Sequence, residues 1–188
     1  MGYRKHNIIT MRRLQGALDD VQGELDRIGV FDERLANVEV YLTWFGTAFG
    51  WHFYGSTGHI EIPAISTCRL SERMFGARRT TLRDILRHEY AHAVADQNRG
   101  LIRSKPFRMA FGSGHNDEVA ANYCPTEHVT AYAATDACED FAEVFMFFLK
   151  HKGKIPKRFH TPAIMAKWSF VEALCQQIEM GNRRWPAS

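Results

Sequence analysis

The chain has 188 residues, of which 45% are hydrophobic and 12% aromatic. This length and apolar fraction suffice for one hydrophobic core and fall short of what two independent domains usually need, so we expect one domain over residues 1–188. The formal net charge of +3 lies far from the strong imbalance of a dedicated nucleic-acid binder, and we expect no nucleic-acid partner.

The start of the chain and its cysteines bear on where the protein works. Residues 1–10 are charged and are not followed by the apolar stretch of a signal peptide. No apolar run approaches the roughly 20 residues of a membrane-spanning helix. The cysteines lack a C-x-x-C pair, which favours reduced thiols over a disulfide framework or a cysteine metal site. We therefore expect a cytoplasmic protein without a membrane partner, with secretion as an effector by another route as the alternative.

The first predicted element is a one-sided helix over residues 8–28 that ends at Gly29. Its apolar residues recur at three- and four-residue spacing: Met11, Leu14, Leu18, Val21, Leu25 and Ile28. Such a stripe buries one face of a helix against a core, so we expect a packing role.

Three short segments rich in β-branched and aromatic residues follow, over residues 38–44, 51–54 and 59–62. Glycines separate them, which predicts a small antiparallel sheet and, with the helices around it, the α+β fold class. Pro63 has no N–H to donate to a ladder, so we expect the third segment at a sheet edge. An extended peptide can pair with a free edge by main-chain hydrogen bonds, and the candidate substrate-binding residues are His59, Ile60, Glu61 and Ile62.

A second helix is predicted over residues 82–98. Thr81 and Asp84 have the spacing of a capping box, and Gly100 is a natural stop. On a helical wheel the apolar residues share one inward half, whereas Arg87 points away from it. The side chains of the inward half are therefore expected to face the core.

This helix contains the sequence H-E-x-x-H as His88, Glu89 and His92. At about 100° per residue, the two imidazoles stand one turn apart on the same side and suit two ligands of one zinc ion. Glu89 is the candidate general base because it lies beside them without competing for the metal. A chance match, or a pair of core histidines bonded to backbone, would give the same pattern, and a third ligand distinguishes a metal site from both.

The third ligand is expected in a later helix over residues 137–150. A metzincin would have glycine and histidine where this chain has Ala95 and Asn98, so that class is excluded. The later helix is apolar nearly all round, yet it carries Glu139 and Glu143 on one face. Burying two unpaired carboxylates costs several kcal/mol, so these side chains should meet a cation or strong donors.

We assign Glu139 as the third metal ligand and Glu143 as the acceptor for a ring N–H of His88 or His92. The reverse assignment is equally compatible with the spacing. Alternatively the carboxylates favour the helix dipole, which accounts for Glu139 and Asp140 near the N-terminus but not for the deeper Glu143.

At these residues the sequence resembles the gluzincin zinc metallopeptidases. The stretch HEYAHAVAD at residues 88–96 is similar to the thermolysin-type active helix, in which H-E-x-x-H-A-V-x-D is common. The stretch EDFAE at residues 139–143 is similar to the E-x-x-A-E stretch of the anthrax lethal factor catalytic domain and of bacterial zinc-binding metallopeptidases. The resemblance covers residues 80–150 and implies a zincin-like fold, one zinc ion and Glu139 as ligand. It further implies that Asp96 lies near the histidines and that Tyr132 donates to the oxyanion.

The expected function is a zinc-dependent endopeptidase acting on a peptide or protein, in which zinc activates a water and Glu89 takes its proton. One alternative is a non-catalytic zinc-stabilised module that binds peptides. Another is a DNA-associated protease of the SprT-like type, which usually takes a further histidine as third ligand. The sequence predicts neither the cleavage specificity nor the oligomeric state.

The remaining polar motifs indicate simpler structural roles. His115 is an alternative third ligand, and Cys124 with His128 has a loose metal-like spacing, but neither has a supporting partner. The basic residues of 150–158 predict a solvated loop, with an acidic partner as the alternative. Residues 163–180 have apolar positions at helical spacing and predict a packing helix.

Overall fold

The structure is a computed structural model that describes residues 8–46, 49–54, 57–66 and 80–186. Its helices are α1 (Met11–Arg27), α2 (Glu33–Ala36), α3 (Leu82–Gln97), α4 (Arg99–Ile102), α5 (Lys105–Phe111), α6 (Ala137–Lys150) and α7 (Pro162–Glu179). Its strands are β1 (Glu39–Gly46), β2 (Gly50–Tyr54) and β3 (Thr57–Ser66), and two 3-10 turns span Tyr132–Ala134 and Lys157–Phe159. The α+β class with a small sheet is thereby confirmed.

The sheet has the strand order β1-β3-β2, with β1 parallel and β2 antiparallel to β3. The prediction of a wholly antiparallel sheet is therefore wrong for β1. The prediction that residues 59–62 lie at a sheet edge is also wrong, because β3 is the central strand. In the described residues, the pairing of β2 with β3 ends at Gly50, which lies opposite Glu61. Pro63 lies beyond this end, so its missing N–H removes no hydrogen bond to β2.

The central position of β3 removes the basis for substrate pairing along it. His59, Ile60 and Glu61 each have a register partner on β1 and another on β2. Ile62 is paired with Leu42 of β1, and Ile60 and Ile62 are fully buried. These four residues hold the sheet together and pack it on the core, and His59, Ile60 and Glu61 have no free main-chain edge. A substrate-binding role for the four residues stays a prediction.

Helix α3 begins as predicted. The Thr81 hydroxyl accepts a hydrogen bond from the Asp84 N–H at 3.1 Å, and the Asp84 carboxylate accepts one from the Thr81 N–H at 3.4 Å, which completes the capping box. The C-cap is Asn98, and Gly100 lies inside α4 rather than at the end of α3. Glycine is required there for another reason, since a Cβ atom would come within 2.2 Å of the Arg183 carbonyl oxygen.

Two helices pack against α3, and a third lies behind one of them. Helix α1 packs on one side of α3, α6 packs on another, and α7 covers α6. Four residues of the predicted α1 stripe are buried, namely Leu14, Leu18, Val21 and Leu25, whereas Met11 is 61% exposed and Ile28 is partly buried at the C-cap. Helix α6 is buried nearly all round, with eleven of its side chains buried. Within the described residues, no helix has both the length and the apolar character needed to cross a membrane.

A buried charge network ties these helices together. Asp84 accepts hydrogen bonds from Arg87 Nη1 at 2.7 Å and from Lys150 Nζ of α6 at 2.9 Å. Arg87 also donates twice to the Glu24 carboxylate of α1, both at 2.7 Å. The prediction that Arg87 points to solvent is wrong, because α1 covers that side of α3 and leaves Arg87 only 7% exposed.

The network makes stability depend on pH. Burial would raise the pKa of Asp84, but hydrogen bonds from Lys150 and Thr81 outweigh it and hold the pKa below the ordinary 3.8. A carboxylate with a depressed pKa stabilises the fold above about pH 4, and this contribution is lost as the pH falls further. We predict that Asp84→Asn lowers the free energy of unfolding by about 1–3 kcal/mol at pH 7 and that the difference shrinks below pH 4.

Urea unfolding at pH 7 and below pH 4 measures this difference. Asp19→Asn is the matched control, because Asp19 is an exposed helical aspartate whose carboxylate accepts from Gln15. A difference between Asp84→Asn and wild type that stays constant with pH would contradict the assignment.

Candidate metal centre

The histidines of α3 meet on the face that turns toward α6. His88 Nε2 and His92 Nε2 are 3.1 Å apart, and their ring planes are inclined by 79°. The two side chains are only 12% and 13% exposed. One turn of helix thus directs two imidazole nitrogens at the same point, as the i, i+4 spacing predicts.

Helix α6 brings a carboxylate to that point. Glu139 Oε2 lies 3.0 Å from His88 Nε2 and 3.6 Å from His92 Nε2. The ligand atoms of His88, His92 and Glu139 all lie within 4.8 Å of one another. Glu139 Oε2 is buried, and its contact with His88 lacks the geometry of a hydrogen bond, so this acceptor has no hydrogen-bond partner. A buried acceptor beside two imidazole nitrogens fits a metal ion, and this group can hold one.

Glu143 supports His88 from behind. The Nδ1–H of His88 donates to Glu143 Oε1 at 2.9 Å, and the hydroxyl of Thr130 donates to Glu143 Oε2 at 2.7 Å. With Nδ1 carrying the proton, the Nε2 lone pair of His88 faces the ligand cluster. Of the two assignments compatible with the spacing, the structure has Glu139 beside the Nε2 atoms and Glu143 at Nδ1.

His92 has a different support from the one predicted. Its Nδ1 lies 3.3 Å from the Sγ atom of Cys138, the residue just before Glu139 on α6. Asp96 was expected near the histidines, but its carboxylate accepts from the indole N–H of Trp51 at 2.9 Å and from Arg99 at 3.4 Å. Sequence reasoning missed Cys138 because a lone cysteine without a C-x-x-C partner gives no metal-site pattern.

Glu89 is buried at the edge of the sheet. Burial raises its pKa, and the neighbouring His88 and His92 offset part of the rise. The backbone amide of Trp51 in β2 also offsets part of the rise in this pKa. A glutamate with a raised pKa exchanges protons closer to neutral pH, as a general base requires.

Tyr132 lies at the mouth of the centre, in the 3-10 turn before α6. Its ring centroid is 5.8 Å from that of His88, and the residue is 54% exposed. Partial burial and the charges of Glu139 and Glu89 raise its pKa, so the hydroxyl stays a donor at neutral pH.

The centre is tightly charge-coupled without a metal. Burial would lower the pKa of His88, but the carboxylates of Glu139 and Glu143 raise it to about 10. Burial would raise the pKa of Glu139, but His88 and His92 hold it far below its ordinary value. The raised pKa favours a proton on the His88 ring in the absence of a metal, and that proton must leave before His88 Nε2 can bind one.

His115, Cys124 and His128 lie outside the metal-binding group. The His115 ring packs against Phe107 at 5.5 Å, and burial lowers its pKa. The Nδ1 atom of His128 accepts from the Cys124 N–H at 3.3 Å, so their spacing reflects a loop turn. Within the described residues, neither histidine belongs to a metal-binding group.

No protein-family model, curated protein or solved structure matches this chain. Its function is therefore indicated by the geometry of this centre and by the likeness of its motifs.

We predict that the protein binds one divalent ion per chain and that Glu139→Gln weakens binding more than about 100-fold, because a ligand loss exceeds the 10- to 100-fold effect of losing an outer partner. Elemental analysis measures the number of ions bound per chain, and competition with a chromophoric chelator measures the affinity. Glu172→Gln, an exposed glutamate of α7, is the matched control. Equal affinity in both variants would remove Glu139 from the ligand set.

Proposed function

We propose that the protein is a gluzincin-type zinc metallopeptidase with a zincin-like fold, which hydrolyses peptide bonds with Glu89 as general base. The observation that carries this proposal is the convergence of His88, His92 and Glu139, whose ligand atoms lie within 4.8 Å of one another and include a buried Glu139 oxygen without a hydrogen-bond partner. Glu89 lies next to His88 on the same helix, in a position to act on a molecule held at that point.

The geometry of the ligand atoms favours zinc. Two imidazoles and one carboxylate are a typical donor set for catalytic zinc. Tetrahedral bonds of about 2.0–2.1 Å separate ligand atoms by about 3.3 Å, and the three separations here are 3.0, 3.1 and 3.6 Å. When bound, zinc would supply Lewis-acid chemistry by polarising the scissile carbonyl and lowering the pKa of a coordinated water towards about 7.

Glu89 moves the proton in this proposal. Its raised pKa suits a carboxylate that accepts the proton of the attacking water and gives it to the leaving amine. Tyr132, kept protonated by partial burial and the surrounding carboxylates, is placed to donate to the oxyanion, and one such donor is worth about 2.7–4 kcal/mol.

The substrate is a peptide or protein, and we assign its docking edge to β2 in place of β3. Helix α3 contacts β2, and β2 pairs with β3 on one side only within the described residues. Trp51 of β2 donates to Asp96 of α3 through its indole at 2.9 Å, and its backbone amide lowers the pKa of Glu89. An extended peptide on this edge would therefore pass the general base.

The nature of the third ligand bears on the DNA-associated alternative. The SprT-like type usually has a histidine there, whereas the group in the described part of this chain contains Glu139. DNA binding that weakens steeply with salt would be needed to revive that alternative.

We predict that Glu89→Gln keeps its zinc and loses peptidase activity by about 100-fold or more, because the proton acceptor is gone. Activity on a peptide library and zinc content are measured on the same sample. Glu172→Gln is the control for a change of charge alone. Equal activity in wild type and Glu89→Gln, or none in either, would favour the non-catalytic module.

We also predict that a peptide hydroxamate slows amide exchange in residues 50–54, because main-chain bonds to the inhibitor would protect the free side of β2. Hydrogen exchange with mass spectrometry measures the exchange rates of these amides. Residues 59–61 serve as the internal reference, since they already pair on both sides. Unchanged amide exchange in residues 50–54 would argue against β2 as the docking edge.

A further inference from the structure

The hydroxyl of Thr130 joins two parts of the centre. It donates to Glu143 Oε2 at 2.7 Å and accepts from the Ala133 N–H at 3.1 Å. The direction of both bonds follows from their partners, because a carboxylate accepts and a backbone N–H donates. The hydroxyl proton is thus used in the bond to Glu143, and one lone pair of the oxygen is used in the bond from Ala133.

The first bond leads to a metal ligand. Glu143 is 8% exposed, and each of its oxygens has one partner, His88 for Oε1 and Thr130 for Oε2. Without Thr130, Oε2 would be a buried acceptor lacking this partner, and the carboxylate would lose a contact that fixes its rotation. The orientation of the His88 ring depends on that carboxylate.

The second bond leads to the turn that carries Tyr132. Ala133 is the middle residue of this turn and is 1% exposed, so its N–H has no access to bulk water as a substitute partner. The Tyr132 ring lies over the same His88 that Glu143 supports. One hydroxyl therefore contacts the support of His88 and the backbone beside Tyr132.

We propose that Thr130 is a positioning residue that couples the orientation of the ligand His88 to the placement of Tyr132. This proposal rests on the proposed function, since Thr130 touches neither the metal nor the substrate and acts through Glu143 and the turn.

Two substitutions separate the hydroxyl from the shape of the side chain. Thr130→Val keeps the volume and removes both hydrogen bonds, whereas Thr130→Ser keeps the hydroxyl and loses the methyl group. Thr161→Val is the matched control, because the Thr161 hydroxyl also bridges two partners, accepting from the Ile164 N–H at 3.4 Å and donating to the Thr126 carbonyl at 2.6 Å. Thr130→Ala replaces Thr130→Val if the valine variant does not fold.

The first measurement is the zinc dissociation constant by chelator competition. We expect Thr130→Val to raise it about 10- to 100-fold, the effect typical of losing an outer partner of a metal ligand. Thr130→Ser should stay within about threefold of wild type, and Thr161→Val should lower Tm without changing zinc affinity. Unchanged affinity in Thr130→Val, or equal weakening in Thr130→Val and Thr130→Ser, overturns the proposal.

The second measurement is a pair of double-mutant cycles. If Thr130 acts through Glu143, the zinc affinities of Thr130→Val, Glu143→Gln and the double variant will be non-additive. If it also places Tyr132, Thr130→Val will lower the kcat of the zinc-saturated enzyme more in the wild-type background than in Tyr132→Phe. Additive effects in both cycles overturn the coupling. Wild-type protein without zinc affinity overturns the proposed function as well, whereas zinc affinity insensitive to Thr130→Val overturns this inference alone.

Discussion

The structure depends on how the carboxylates of α6 meet the imidazoles of α3. Glu139 and Glu143 lie on a helix that is otherwise buried among apolar side chains, where unpaired carboxylates would cost several kcal/mol. His88 contacts both of them, one with each ring nitrogen. The packing of α6 on α3 therefore depends on donors or cations that meet these carboxylates between the helices. The raised pKa of His88 favours a proton there, and a cation bound to the same atoms would take over its charge.

The parts of the centre that lie on one helix were predictable because helical geometry fixes them. The four-residue spacing of His88 and His92, and that of Glu139 and Glu143, places each pair on one face whatever the rest of the chain does. Burial of α6 followed from its composition in the same way. That these two faces meet was an inference from the cost of burying charge, and the distances agree with it.

The sheet and the outer contacts were harder to predict because they depend on distant parts of the chain. Pro63 indicated an edge, but the register shows that β2 simply ends before it. Arg87 read as exposed on the wheel of α3, since the wheel contains no information about α1. The resemblance implied that Asp96 lies near the histidines, but its carboxylate accepts a hydrogen bond from Trp51. The residue in contact with His92 Nδ1 is Cys138. Thr130 lies in a loop, where a single hydroxyl has no periodic signal.

The indole of Trp51 donates to Asp96 of α3, and the backbone amide of the same residue lowers the pKa of Glu89. Sequence divergence affects these two interactions differently. Almost any residue at position 51 retains a backbone amide beside Glu89, and proline is the exception because it has no N–H. The indole contact disappears with most replacements. Diverged copies of this protein can therefore vary at position 51 and keep an amide beside Glu89, provided that they avoid proline.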